Sequence, residues 1–169
     1  FLDLLSRWSS DGGWIFADHA RRLQGFRATH QPSPWMGDYG HFTIMPQTGP
    51  LLLAPVARAS TVRRADLELA PDYIRALLWR YQTTIELTPT ERCALIRVSF
   101  PAGQPARLIF STFAGLSLLK LDPAARTLSG WTRANSGGVP ADFACYVVAH
   151  FSQPFHAGYS QADQPLAGI

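Results

Sequence analysis

The sequence predicts an antiparallel all-β fold, a β-sandwich led by an irregular N-terminal segment. Three observations carry this. Short apolar or alternating runs recur from about residue 41 to residue 150, each five to nine residues long. Turn-forming residues separate them, and the chain holds 13 Gly and 13 Pro. Hardly any stretch keeps a helical period. Many short strands joined by turns point to sheets packed on each other.

The elements follow in order. The first forty residues are irregular and aromatic, and "ADHARRLQ" (17–24) predicts one or two turns of helix ended by Gly25. Strands are expected near 41–46, 50–54, 73–79, 82–88, 92–100, 106–112, 115–121, 126–132 and 142–150. In "TTIELTPTERCALIRVSF" the apolar Ile85 and Leu87, then Cys93 and Leu95, alternate with their neighbours across two faces of a sheet. "PAGQPA" and "DPAAR" read as hairpin loops and "ANSGGVPAD" as a longer loop. The whole, 1–169, reads as one β-sandwich domain with neither repeats nor low-complexity tracts.

Composition narrows the function classes. The chain is 47% hydrophobic and 16% charged, which places it with globular proteins and against disorder. The net charge is +3. The arginines are spread along the chain, adjacent only at Arg21-Arg22 and Arg63-Arg64, and Lys120 is the one lysine. A mild excess without a basic stripe argues against nucleic acid. No apolar run is long enough to span a membrane as a helix, and "FLDLLSRWSS" lacks the basic end and apolar core of a signal peptide. The expectation is a piece of a longer polypeptide. Cys93 and Cys145 read as buried thiols in strands, or as a disulfide if the protein is exported, and no zinc spacing is present.

Few residues carry the pattern of acid–base or nucleophilic chemistry. The three glutamates are Glu68, Glu86 and Glu91, and Glu86 opposes Ile85 and Leu87 in an alternating strand, so it reads as a solvated or paired strand residue. Asp38, beside Gly37 and Tyr39, reads as a loop-tying turn residue. No two of the five histidines have the helical spacing of a metal site, and Ser33 and Ser136 lack the surroundings of a nucleophile or a phosphate loop. His30 is different because it opens the stiff loop "THQPSPWMGDYGHF". The tryptophans tell more. Trp79 and Trp131 fall in predicted strands, where core packing is the default, while Trp8, Trp14 and Trp35 lie in the irregular segment. A flat face with one N–H donor suits a sugar ring, although a satellite hydrophobic cluster would use the same residues.

Several separated motifs together resemble one family. They are Gly25-Phe26, Thr29-His30, Asp38-Tyr39-Gly40 and Met45-Pro46-Gln47-Thr48-Gly49, then Glu86-Leu87-Thr88 with Thr90 and Arg92, then Phe100-Pro101. "SGWTR" and "FACYVVAHFSQPF" extend the likeness to the later strands. The sequence resembles the N-terminal domain of glycoside hydrolase family 92, the calcium-dependent exo-α-mannosidases, over nearly its whole length. The loop His30-Gln31-Pro32-Ser33-Pro34-Trp35 departs from the usual His-x-Ser-Gly and marks a subtype.

The resemblance implies a supersandwich of the galactose mutarotase-like kind, incomplete at its N-terminus, without the (α/α)6 domain that follows it in the family. It implies an inverting exo-α-mannosidase of α-1,2 type acting on mannose-containing N-glycans, secreted or periplasmic. The catalytic acid and base and most calcium-binding groups come from the helical domain, so no catalytic residue and no metal ligand map to this chain. The chain would supply one wall of the sugar pocket. Trp8 inherits the sugar contact of a Trp-x4-Gly-Tyr motif matched by Trp8, Gly13 and Trp14, and His30 and Trp35 line the loop facing the partner domain. A non-catalytic carbohydrate-binding or docking module would use the same aromatics, and a pure scaffold would bury them.

Overall fold

The computed structural model describes residues 2–4, 22–27, 42–112, 116–133, 139–161 and 164–166. The described elements are nearly all strands, and the strand pairs whose register is described run antiparallel. No helix among the described residues is long and apolar enough to cross a membrane. The chain divides into two compact units, residues 1–26 with 44–110, and 27–43 with 111–169.

The first unit is a two-sheet sandwich. One sheet has the order β1 (Leu2–Leu4), β2 (Arg22–Arg27), β3 (Thr43–Gln47), β9 (Arg107–Ser111), with β4 (Ser60–Thr61) also paired to β2. The other has the order β5 (Leu67–Ala70), β6 (Tyr73–Leu78), β7 (Thr83–Pro89), β8 (Ala94–Ser99). Their facing sides meet in one core. Leu23, Phe26 and Met45 come from the first sheet, Ala76, Leu78 and Ile85 from the second, and Val62 and Tyr81 close the cluster. Alternation decides which side chains enter it. The inward row Leu67, Ala76, Ile85, Val98 runs in register across all four strands, as does Leu69, Ile74, Leu87, Ile96. Between these rows lies an outward row of alternating sign, Glu68, Arg75, Glu86, Arg97.

The second unit holds the meander β10 (Ser117–Asp122), β11 (Thr127–Thr132), β12 (Cys145–His150) and a short hairpin, β13 (Ser160–Gln161) with β14 (Gln164–Pro165). The "DPAAR" turn joins β10 to β11. The Asp122 carboxylate accepts from Ala125 N–H at 2.9 Å, and Arg126 takes a φ of 55°. Gly130 faces Leu119 in register, and a Cβ there would run into the Leu118 carbonyl oxygen and the Leu119 side chain. Tyr159 reaches the edge of this sheet, its hydroxyl accepting from Leu121 N–H at 3.1 Å. Phe151 and Phe155 pack edge to face at 4.9 Å.

Several expectations are corrected. Arg22–Arg27 is a strand rather than the end of a helix, because Leu23 and Phe26 are drawn into the core and β2 pairs with both β1 and β4. Residues 50–54 are not a strand. Gly49 turns the chain at φ 71°, and the Gln47 side-chain amide takes the N–H and C=O of Leu52 at 3.2 and 2.5 Å. With Leu52 so engaged, this stretch leads into the single-turn helix α1 (Pro55–Arg58). Cys93 is exposed in the β7–β8 turn, where its C=O accepts from Thr90 N–H at 2.7 Å and its N–H donates to Thr90 Oγ1 at 3.0 Å. Cys145 opens β12 half-buried, and burial pushes its thiol pKa up. Both thiols are free. Trp79 lies in the β6–β7 turn, half-buried with its N–H on Asp66 at 2.8 Å, and Trp131 is half-buried in β11, so neither is a core residue.

Candidate functional site

The four sequence-derived sugar contacts, Trp8, Trp14, His30 and Trp35, lie outside the described residues, as do Asp38 and His41. What the structure describes is the frame from which their segments leave. Segment 5–21 connects β1 to β2, and segment 28–41 connects β2 to β3, which are neighbours in one sheet. Leu4 pairs with Leu23 at the start of β2, while Leu2 pairs with Phe26 near its end. The two segments therefore attach at opposite ends of a six-residue strand, a span of about 17 Å.

The frame is locked by polar groups inside it. Gln47 and Arg58 are both almost wholly buried. Arg58 donates to Leu53 C=O at 3.0 Å and to Gln24 C=O at 3.3 Å, tying the 50s loop to β2. The Tyr81 hydroxyl donates to Arg58 C=O at 2.6 Å, and Thr48 and Thr83 hydroxyls donate to Tyr81 C=O at 3.0 and 2.9 Å. Arg107 donates to Gly49 C=O. A buried polar group without a partner costs ~1–3 kcal/mol, so such a network specifies one arrangement of the loop. Burial pushes the Tyr81 phenol pKa up. Sequence reasoning missed Arg58. The one signal available was an arginine inside an apolar stretch, "LLLAPVARAS".

Glu86 accepts from the Tyr73 hydroxyl at 2.7 Å and lies 3.6 Å from the Arg97 guanidinium. That hydrogen bond is the leading cause of the raised Tyr73 pKa, ahead of burial and of the Glu86 charge. Glu86 is thus a paired strand residue, as its alternation implies. Among the described residues, no three of His, Cys, Asp and Glu come together as a metal-binding group.

The model of the glycosyl hydrolase family 92 N-terminal domain matches residues 3–167 of the 169. The chain belongs to this family. A family GH92 inverting mannosidase from Bacteroides thetaiotaomicron is similar in structure, with a TM-score of 0.84 and 34% identity over 91% of this chain. A family GH92 α-mannosidase of the same organism gives a TM-score of 0.74 at 21% identity over 89% of this chain. The latter enzyme in complex with mannoimidazole gives 0.64 at 19% over 78%. At these lower identities the likeness speaks for the fold alone. No curated protein matches the chain. The chain spans only 21% and 22% of the length of the first two relatives.

Within this family 92 N-terminal domain the motifs divide by task. Met45, Pro46, Gln47, Thr48 and Gly49 are the buried strand end and turn that build the locked frame. Thr90 closes the β7–β8 turn, and Arg92 is an exposed residue 3.8 Å from the Glu91 carboxylate.

Proposed function

We propose that this domain is the N-terminal β-sandwich of an inverting exo-α-mannosidase of α-1,2 type, forming one wall of its sugar pocket. The observation that carries the reading is 34% identity over 91% of the chain to an inverting mannosidase of the same family. In the proposal, a helical (α/α)6 domain supplies the carboxylic acid, the base and most of the groups that bind calcium. An inverting mechanism needs the base to activate water on the face opposite the leaving group. Trp8 contacts the sugar next to the scissile bond, Trp14 is a further substrate contact, and His30 and Trp35 lie in the loop that faces the partner domain. The task of such a wall is orientation, which lowers a barrier by prepaying entropy. The whole enzyme would act outside the cell or in a periplasm, on mannose-bearing N-glycans.

The test is Trp8→Ala in the whole enzyme. Loss of an aromatic–sugar contact should lower kcat/KM on α-1,2-mannobiose by roughly tenfold, with calcium affinity unchanged. An unaltered kcat/KM removes Trp8 from the site. The 169-residue chain alone should release no mannose and should show no mannoside-dependent change in Trp fluorescence. Tight mannoside binding by the chain alone would favour a self-sufficient binding module instead.

A further inference from the structure

Three arginines that are separate in the sequence, Arg22, Arg63 and Arg80, come together on the fold. Arg22 faces Thr61 in the β2–β4 register, and Trp79 N–H donates to the C=O of Thr61 at 3.1 Å. Arg63 lies two residues beyond Thr61, its guanidinium 3.5 Å from the Trp79 ring centroid. Arg80 follows Trp79, and its backbone N–H donates to Ser60 Oγ at 3.1 Å. Its guanidinium donates to Ala57 C=O at 2.5 Å and Ala59 C=O at 3.3 Å, while that of Arg22 donates to the preceding carbonyl, Val56 C=O, at 3.3 Å. Two guanidinium groups thus sit on consecutive carbonyls of α1. A third lies over the adjacent indole, and Arg64 follows it in the chain. All four arginines are exposed.

Their partners distinguish this cluster from the other arginines of the same unit. Arg75 and Arg97 face glutamates across β5–β8, and Arg97 pairs with Glu86. None of Arg22, Arg63, Arg64 and Arg80 makes an ion pair among the described residues. The nearby acid, Asp66, is half-buried and engaged by the Trp79 indole N–H. A guanidinium has five N–H donors in a planar fork. Arg22 and Arg80 commit one nitrogen each to carbonyls, which orients the fork and leaves the outer donors open. Fixed forks without a carboxylate suit a tetrahedral oxyanion, which takes two N–H bonds from each.

We propose that this arginine edge is a binding site for phosphate or sulfate esters carried on a glycan. The oxyanion specificity follows from the guanidinium cluster. The choice of a glycan as its carrier rests on the carbohydrate-acting reading above, and the test separates the two.

The probe is dextran sulfate, with neutral dextran, duplex DNA and anionic phosphatidylserine vesicles as parallel arms, all at physiological salt. R22Q/R63Q/R80Q removes three charges from the edge, and R75Q/R92Q/R97Q removes three from elsewhere in the same unit. The expected result is dextran sulfate binding, no binding of neutral dextran, at least a tenfold loss in the edge variant and less than a twofold change in the other. Equal losses in the two variants, or absence of dextran sulfate binding, overturn the site. Tighter binding of DNA or vesicles, lost in the edge variant, overturns the glycan and leaves the oxyanion chemistry. If the triple edge variant does not fold, R63Q decides, because the Arg63 guanidinium lies over the Trp79 ring. A twofold or greater loss supports the site and no loss removes it. Mannosidase activity enters none of these readouts.

Discussion

The four-stranded sheet β5–β8 and the three-stranded sheet β10–β12 are built on the same alternation and finish their outer faces differently. In β5–β8 the inward rows are aliphatic, and Ile85 has no exposed surface. Its outer face carries the Glu68–Arg75–Glu86–Arg97 row, with the Tyr73 hydroxyl bonded to Glu86. In β10–β12 the more buried face combines Leu119, Leu121, Leu128, Val147 and Ala149 with Gly130, so it is aliphatic but interrupted by a residue without a side chain. The other face sets Leu118, Trp131 and Tyr146 side by side, with Leu118 50% and Tyr146 74% exposed. The first sheet therefore draws its specificity from a filled core and a solvated charge row. The second depends on close backbone approach, and one missing Cβ substitutes for a packed side chain.

That contrast can be broken by substitution. The largest effect is expected at Ile85→Ala, which empties a fully buried position in the first sheet. It should cost about 2–5 kcal/mol, read as a lower urea midpoint. A cost under ~1 kcal/mol would mean that this core collapses around the loss, unlike a close-packed interior. Gly130→Ala is next. The added methyl meets the Leu118 carbonyl oxygen and Leu119 side chain, and overpacking of this kind costs about 1–3 kcal/mol. A neutral result would show that β10 can shift to admit it.

The polar side of the core can be tested with pH. Tyr81 has its phenol pKa raised by burial above the ordinary value of 10.0. The unfolded chain therefore ionises first. Its stabilising share is complete below pH 10.0 and is lost as pH rises through the higher folded value. Tyr81→Phe should flatten that alkaline slope while removing the hydrogen bond to Arg58 C=O. An alkaline slope unchanged by the substitution would assign it to other groups. The smallest effect is expected at Arg97→Ser. The Arg97 side chain is 73% exposed, and an exposed ion pair contributes under about 1 kcal/mol. A larger loss would show that the outer row acts as a network with Tyr73 and Arg75.

Much of the fold was legible as strand period. "TTIELT" alternates cleanly and "SLLKLD" is a short apolar run between turns, and both are strands close to their expected bounds. The failures lie where a local signal met a distant demand. Arg22–Arg27 has helix-compatible residues before a glycine, but β1 and β4 claim its backbone and the core claims Leu23 and Phe26. Leu51–Leu53 is apolar like a strand, but Gln47 and Arg58 claim its backbone groups. Cys93 is apolar in type, yet it sits exposed in a turn. As for the candidate site, its proline-rich segment and aromatic residues were readable as chemistry and lie outside the described residues, whereas the buried Arg58 was not readable.

The sequence by itself determined the all-β class, the β6–β12 strand run and the family, because side-chain period and motif order are local properties of the chain. Tertiary structure alone decided that Arg58 is buried, that Gly130 must lack a side chain and that Arg22, Arg63 and Arg80 share one edge. Each of these depends on residues far apart in sequence meeting through strand register, and register follows from the balance of all core contacts at once.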